Sequence, residues 1–406
     1  MNCELNFFPY LCKNIGKMNP KTIKKLKIVY ITPALYMAGG VERVLTLKAN
    51  YFAETFDYDI TIILTEGKSK PLFYPLSNKI NVINLNIGFE ELWTCSFIQK
   101  VFIYLKKQRQ FKKALTAELM RLRPDITISL LRREINFITG IRDGSRKIGE
   151  LHVNRANYRN FEANDSNFFK NLFAKFWMRN LVSKLKKLDR FIVLTEEDKS
   201  AWPELHNICV IPDPLSFIPT QYSLLTEKRI IAVGRYVYQK GFDLLLQAWA
   251  KIEKHYPEWE LVVFGDGNRE PFEQQMKELG IDSNRCHLNG STADIQKEYV
   301  NSSVFAFSSR FEGFGMVLIE AMACGLPVVS FACPCGPKDI VKDGEDGLLV
   351  ENGNIDAFAL GLSQLMQNFS LCQSMATAGK VNVQRFYMKQ IAKRWKEVFE
   401  SNEKLS

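Results

Sequence analysis

The sequence predicts an α/β protein of two domains, each built on a parallel sheet with helices on both faces. Short β-branched runs of strand length alternate with longer segments of helical apolar spacing along the whole chain. Strand–helix–strand alternation implies parallel strands, because a crossover helix returns the chain to the same end of the sheet. The length of 406 residues fits two such domains better than one.

Five strands are predicted in each half of the chain. Those of the first half begin at Lys27, Tyr58, Asp125, Lys147 and Arg190, and those of the second half at Arg229, Glu260, Arg285, Val304 and Pro327. Between the halves, residues 209–220 contain three prolines in twelve positions, which indicates a domain boundary with a ligand cleft beside it.

The predicted division of the chain follows from this boundary. An N-terminal extension covers residues 1–26, a first domain residues 27–212 and a second domain residues 213–385. Residues 386–406 contain an amphipathic segment with no strand to follow, so they are expected to form a final helix that crosses back to the first domain.

Composition excludes several classes of protein. With 46% hydrophobic and 24% charged residues, the chain can fill two cores, and neither disorder nor coiled coil fits as its main architecture. No segment approaches about 18 uninterrupted apolar residues, so no transmembrane helix is expected. Nine cysteines at irregular spacings do not indicate a disulfide framework. The expected location is cytoplasmic.

Positive charge is concentrated in the first half. Residues 1–200 carry 34 Lys and Arg against 19 Asp and Glu, a balance of +15, whereas the remainder carries 20 against 25, a balance of −5. This asymmetry predicts an anionic partner for the first half, such as nucleic acid, a membrane surface or a phosphorylated lipid; a merely solvated basic face is the alternative.

Two segments carry much of this charge, at residues 106–113 and 168–188. The second combines Phe, Trp and Leu at helical spacing with six cations, as an interfacial membrane helix requires. An ordinary domain helix with its apolar side inward explains the same pattern equally well.

The strongest local motif runs from Ser308 to Phe331. A predicted strand is followed by a loop with Glu312, Gly313 and Gly315, and then by a helix that contains Glu320. Glycines at a helix N-terminus let main-chain N–H groups approach an anion, and the helix dipole favours negative charge there. Carboxylates would repel phosphate, so the two glutamates are expected to bind sugar hydroxyls. The alternative is a helix start with a solvated acid.

Two further loops follow predicted strands. One places Arg235 and Lys240 on its two sides, where both cations can converge on a diphosphate. The other contains Gly39 and Gly40 before a helix and could face the same cleft. The sequence has no obvious Asp/His metal cluster, so no metal and no cofactor are expected, and the two cations would neutralise a leaving nucleotide.

Together these motifs resemble the retaining glycosyltransferases of family 4, and in particular those of bacterial surface-polysaccharide assembly. Members of that family have the GT-B fold, in which two Rossmann-like domains face a central cleft. The resemblance rests on GGVERVL, the GR…KG pair, FEGFGMVLIEAMACGLPVV and PCGPKDIVKDGEDGLLV, and covers most of the chain from about Lys27 to Arg394.

The resemblance implies a role for each matching residue. Arg235 and Lys240 match the pair that contacts the donor diphosphate, and Glu312 and Glu320 match the glutamates at the donor sugar and at the ribose hydroxyls. The other matching positions are the loop Gly313, Phe314 and Gly315 at the sugar and phosphates, Gly39 and Gly40 near the donor phosphates and acceptor, and His152 near the reacting centre.

One position departs from this match, and one pair of cysteines needs a separate interpretation. Asp213 replaces an asparagine that is usual in the family, and this departure is expected to affect the hinge loop more than the chemistry. Cys333 and Cys335 form a C-x-C pair with no second pair at zinc spacing, so both are interpreted as loop residues.

The predicted activity is transfer of a sugar, with retention of configuration and without a metal, from a nucleotide-diphosphate donor to a saccharide acceptor. A UDP-sugar and a lipid-linked acceptor are favoured, with the protein on the inner membrane face. A soluble glucan or small-glycoside transferase and a nucleotide-sugar epimerase are alternatives on the same fold. A non-enzymatic nucleic-acid-binding protein is the alternative from another class, but no recognition helix or aromatic-basic sheet motif supports it.

Overall fold

The structure is a computed structural model that describes residues 25–94, 96–160 and 168–401. Most of the predicted N-terminal extension, residues 1–24, and the last residues of the predicted C-terminal segment, 402–406, lie outside these ranges.

The first half of the chain alternates strands and helices. Its elements are β1 (Lys27–Thr32), α1 (Gly40–Thr55), β2 (Asp59–Leu64), β3 (Asn81–Asn84), α2 (Phe97–Leu122), β4 (Ile126–Ser129), β5 (Arg146–Glu150), α3 (Phe168–Leu185), β6 (Arg190–Val193), α4 (Glu196–Ser200) and β7 (Ile208–Val210). Within the described residues, its seven strands form one parallel sheet in the order β3-β2-β1-β4-β5-β6-β7.

The second half repeats this scheme. Its elements are β8 (Arg229–Val233), α5 (Phe242–Ile252), β9 (Glu260–Phe264), α6 (Glu270–Leu279), β10 (Cys286–Asn289), α7 (Ile295–Val300), β11 (Val304–Phe307), α8 (Met316–Ala323), β12 (Val328–Phe331), α9 (Pro337–Ile340), β13 (Gly347–Val350), α10 (Ile355–Gln367), α11 (Phe369–Asn382) and α12 (Met388–Glu400). In the described part of the chain, six parallel strands form its sheet in the order β10-β9-β8-β11-β12-β13.

The core of the first half lies on both faces of its sheet. Successive residues of β1 point to opposite sides, so that Val29 and Ile31 join one apolar cluster and Ile28 and Tyr30 join the other. Parallel strands covered by helices on both faces need this continuous apolar run. The predicted fold class of two doubly wound parallel-sheet domains is confirmed.

The last helix packs on the first domain. On α12, Trp395 and Phe399 are buried in the apolar cluster that contains Phe52 of α1, and the rings of Phe52 and Phe399 lie 5.5 Å apart. The chain thus crosses between the domains twice, once after β7 and once before α12. The two connecting segments are in contact, because the Leu215 N–H donates a hydrogen bond to the Phe386 carbonyl at 2.8 Å.

The two basic segments lie on α2 and α3. On α3, Leu181, Val182 and Leu185 are buried in the core, as an ordinary domain helix requires, while Phe176 is 68% exposed. The side chains of residues 168–173, which carry much of the predicted aromatic face, lie outside the description.

On α2, four of the five cations at residues 106–113 are exposed, and the fifth, Lys107, is buried and donates to the Ile87 carbonyl at 2.7 Å. Among the described helices, none is both long enough and apolar enough to span a membrane.

Candidate active site

The two sheets face each other through loops that follow their strands. Residues after β5 meet the loop between β11 and α8, because a Cβ added at Gly313 would lie 2.3 Å from the His152 carbonyl oxygen. The Asn154 side-chain amide donates to the Glu312 carbonyl at 2.8 Å. The start of α1 lies opposite the start of α8, where a Cβ on Gly40 would lie 3.9 Å from the Met316 sulfur.

The loop before α8 offers its main chain to the cleft. Gly315 has a φ of 102°, a conformation that side chains with a Cβ rarely adopt, and it begins α8. The Phe314 side chain is buried and packs on Phe386 with ring centroids 5.4 Å apart. A substrate in the cleft can therefore contact the backbone of this loop but not the Phe314 ring.

Lys240 and Glu312 form an ion pair between the two loops of the second domain. The Lys240 Nζ lies 2.6 Å from the Glu312 Oε1, and the Gln239 amide lies 3.3 Å from the other carboxylate oxygen. Gly241, with a φ of 62°, packs against the Ser308 carbonyl, where a Cβ would approach to 2.0 Å. This close approach brings the β8 and β11 loops together. Arg235 lies on the first of these loops and is exposed.

Glu320 lies one turn into α8 and is almost completely buried. The Arg43 Nη1 on α1 is 3.1 Å from its Oε1, the Ser216 hydroxyl donates to the same oxygen, and the Tyr299 hydroxyl lies 3.4 Å from Oε2. Burial raises the pKa of the Glu320 carboxyl, and Arg43 acts in the opposite direction. The carboxylate thus has donors from both domains, which ligand hydroxyls could replace.

His152 lies in a buried group of charged side chains. Its Nε2 is 3.2 Å from the Glu150 Oε1 and its Nδ1 is 3.4 Å from the Asp213 Oδ1. The Lys48 ammonium donates to Glu150. Asp213 is thus close to His152 as well as being part of the segment between the domains, and its expected effect on the hinge loop stays a prediction.

Glu150, His152 and Asp213 lie close enough together to hold a metal ion. The two carboxylates, however, face different nitrogens of the ring, and Glu150 already accepts from Lys48. The arrangement therefore fits a network of opposite charges better than a set of metal ligands.

The structure brings most of the predicted residues to one cleft. Lys240, Glu312, Gly313 and Gly315 are in the second domain, His152 and Gly40 approach them from the first, and Glu320 lies behind them. The Gly39 position is close to Glu42, where a Cβ would meet the carboxylate at 1.9 Å.

The sequence analysis did not assign Arg43, Asn154 or Ser216. Of these three, only Arg43 lies in a motif that the sequence analysis used, GGVERVL.

The two cysteines of the C-x-C pair lie after β12. Cys333 is buried, and the Cys335 main-chain N–H donates to Glu197 at 2.7 Å.

Comparisons with known proteins identify a family model and a relative that match this sequence. The family described as "Glycosyl transferases group 1" matches residues 218–382. An uncharacterized glycosyltransferase of Haemophilus influenzae is 29% identical over 92% of this chain and 99% of its own length.

Two further proteins extend the comparison. An enzyme of Campylobacter jejuni, named as an alpha-1,4-N-acetyl-D-galactosaminyltransferase for a GalNAc-GalNAc-diNAcBac-PP-undecaprenol substrate, is 27% identical over 91% of this chain and 97% of its own. A crystal structure of a mutant of Staphylococcus aureus TarM with fondaparinux, alpha-GlcNAc-glycerol and UDP superposes with a TM-score of 0.72 at 17% identity, over 93% of this chain and 100% of that one. Residues 218–382 therefore match a group 1 glycosyl transferase domain, and the whole chain has the GT-B fold of its structural neighbours.

Proposed function

We propose that this glycosyltransferase moves a sugar from a UDP-sugar to a lipid-linked saccharide, with retention of configuration, in bacterial surface-polysaccharide assembly. The observation that carries the proposal is the ion pair between Lys240, on the loop after β8, and Glu312, on the loop that leads into α8. Gly313 of the second loop packs on the His152 carbonyl of the first domain. The C. jejuni relative, whose name specifies an undecaprenol-linked substrate, supports the acceptor. UDP in the TarM structure supports the donor base.

The donor would lie along the second domain. Lys240, Arg235 and the N-terminus of α8 would bind the diphosphate, because two cations and a helix dipole together stabilise a dianion. The ribose hydroxyls would bind Glu320 and displace the donors that now surround its carboxylate, Arg43 and Ser216. A site of this kind would supply positive charge without a metal.

The chemical step we propose is attack of the acceptor hydroxyl on the same face that the diphosphate leaves. Glu312 is a poor candidate for a covalent nucleophile, because its carboxylate is ion-paired with Lys240 at 2.6 Å. The leaving diphosphate oxygen would take the proton of the acceptor hydroxyl, while Lys240 and Arg235 stabilise the developing charge. Closure of the two domains would exclude water and suppress hydrolysis of the donor.

The outer face of α2 supports a membrane-bound acceptor. Phe102 is 70% exposed and Leu105 is 49% exposed, and the cations that follow them on this face are Lys106, Arg109, Lys112 and Lys113. An apolar end followed by a basic stripe is the pattern of a helix that lies on an anionic bilayer. A soluble glucan or small-glycoside transferase, the alternative on the same fold, would not need a face that binds a membrane.

The reaction is tested by incubating the protein with UDP-sugars and an undecaprenyl-type diphosphate saccharide, and by following the product by proton NMR. We expect UDP release, and an anomeric coupling constant in the product that matches that of the donor. An inverted anomeric proton would contradict retention, and transfer only from GDP-sugars would contradict the donor base.

Membrane contact is tested separately by cosedimentation with liposomes that contain anionic lipid. Replacing Phe102 and Leu105 by Ser should weaken binding at low salt and leave activity on a water-soluble acceptor unchanged. Phe369, which is 53% exposed on the second domain, provides the matched control when replaced by Ser. Equal liposome binding by both variants would contradict the role of α2.

A further inference from the structure

A buried row of alternating charges joins the first domain to the segment that crosses between the domains. Lys48 on α1 contacts Glu150 at the end of β5, Glu150 contacts the His152 ring, and the ring contacts Asp213. The side chains of Lys48 and Glu150 are each only 1% exposed. Asp213 lies three residues after the end of β7 and is also buried.

The charge balance of this row depends on His152. Lys48 supplies one positive charge against the two carboxylates of Glu150 and Asp213, so a neutral imidazole would leave one buried negative charge without a partner. Such a charge is costly, whereas an imidazolium makes the row neutral. Among the described residues, Tyr30 of β1 also interacts with Glu150; it is buried, and its pKa is raised mainly by burial, so it stays uncharged.

The direction of the pKa values agrees with this balance. Burial by itself lowers the pKa of His152, but Asp213 and then Glu150 outweigh it and raise the pKa to about 9. Burial raises the pKa of Glu150, but Lys48 and His152 outweigh it and lower the pKa to about 2.

The main chain beside His152 contacts the loop between β11 and α8, residues 308–315, which is the donor loop of the proposed function. Gly313 packs directly on the His152 carbonyl, and Asn154, two residues further, donates to the Glu312 carbonyl. The carboxylates that hold the His152 ring therefore also help to hold the main chain of residues 152–154, which the donor loop contacts. Each ring nitrogen lies within 3.4 Å of a carboxylate oxygen, but neither contact has hydrogen-bond geometry, so the attraction between the ring and the two carboxylates is electrostatic.

We propose that Asp213 is a positioning residue that, together with Glu150, holds His152 as an imidazolium. The inference rests on the proposed function, because it places this anchored segment against the donor-binding loop. It assigns the His152 imidazolium an electrostatic role beside the loop that leads into α8. It also makes the segment between the domains, through Asp213, a part of the cleft wall.

The charge state is tested by NMR titration of the histidine ring protons. The chain has four histidines, and the His152 signal is assigned from its loss in His152→Gln. We expect His152 to remain protonated at pH 8 and its titration midpoint to fall by about 1–3 units in Asp213→Asn. Asp189→Asn, which removes a carboxylate paired with Arg146 elsewhere in the first domain, should leave the midpoint unchanged.

The positioning role is tested by the pH dependence of kcat. Asp213→Asn should lose activity at the pH where its His152 deprotonates and regain it at lower pH. The wild type should stay active up to about one pH unit below the midpoint of its own His152 titration. A His152 that titrates near 6.5 in the wild type, or identical pH profiles for the two proteins, would overturn the inference. The titration requires no turnover, so it decides the charge state even if the proposed donor or acceptor is wrong.

Discussion

At the residue scale, the two glutamates of the cleft differ in their surroundings. Glu312 has a single close cation, Lys240, whereas Glu320 is buried among Arg43, Ser216 and Tyr299. An ion pair inside the second domain fixes the first carboxylate, and donors from both domains surround the second. This difference supports our proposal that Glu312 binds the reacting sugar and Glu320 the nucleotide.

Replacing Lys240 by Met should lower kcat by about 10²–10³-fold, because it removes a positive charge from the leaving diphosphate. Steady-state kinetics with the preferred UDP-sugar measures the effect. Lys251→Met is the matched control, since Lys251 is half exposed and pairs with Asp356 on the surface. If both variants kept wild-type kcat, Lys240 would not act on the leaving group.

The stability of the protein should depend on pH through His152. Its pKa is raised from 6.5 to about 9. Protonated His152 therefore contributes fully to the free energy of unfolding below pH 6.5, and this contribution is lost as the pH rises through about 9. The melting temperature of the wild type should exceed that of Asp213→Asn most clearly near pH 6, and the difference should shrink towards pH 10. Differential scanning calorimetry measures both curves; a constant difference over this range would contradict the assignment.

At the element scale, the sequence was sufficient to predict ten strands and the helices that border the cleft. The strands that it missed in the described chain are β3, β7 and β13. All three are short edge strands: β3 begins and ends with Asn, β7 has three residues, and β13 begins with Gly. Apolar periodicity is weak in such strands because one side of each has no neighbour to pack on.

The approach of the donor loop to β5 depends on the absence of a side chain at position 313. Gly313→Ala would place a methyl group 2.3 Å from the His152 carbonyl oxygen, so the cleft cannot close to the same extent. We expect a larger radius of gyration in small-angle X-ray scattering and at least a tenfold loss of kcat. Gly140→Ala has open space around it and should change neither. An unchanged scattering curve for Gly313→Ala would show that the contact does not limit closure.

At the scale of the whole molecule, contacts between distant parts of the chain complete the site. Arg43 and Glu320 are 277 positions apart, and His152 meets Asp213 across the domain boundary. Spacing and local pattern placed the glycines, Lys240 and Glu312 in loops after strands, and Glu320 in the helix that follows. They could not predict which side chains pair across the cleft, because those contacts depend on how the two domains dock.

The last helix should stabilise the first domain although it lies at the other end of the chain. Trp395 is buried beside Phe399 and lies over the Lys48 ammonium, 4.7 Å from the ring centroid. Trp395→Ala should cost about 3–5 kcal/mol and raise hydrogen exchange in β1 and β2 more than in β8 and β9. Val381→Ala, at a position 64% exposed on α11, is the control. Equal exchange in both domains would argue against this packing.

The most direct test of the central claim, a donor site in the cleft of the second domain, is a thermal-shift measurement. The panel contains UDP, GDP and their common sugars, each with and without EDTA. A ligand that binds only the folded protein stabilises it by about 2.7 kcal/mol at a hundredfold excess over Kd.

We predict that UDP and a UDP-sugar raise the melting temperature with or without EDTA. This rise should be lost in Glu320→Ala and kept in Glu345→Ala, which alters an exposed ion pair with Lys342. No rise with any nucleotide, or an undiminished rise in Glu320→Ala, would contradict the site described here.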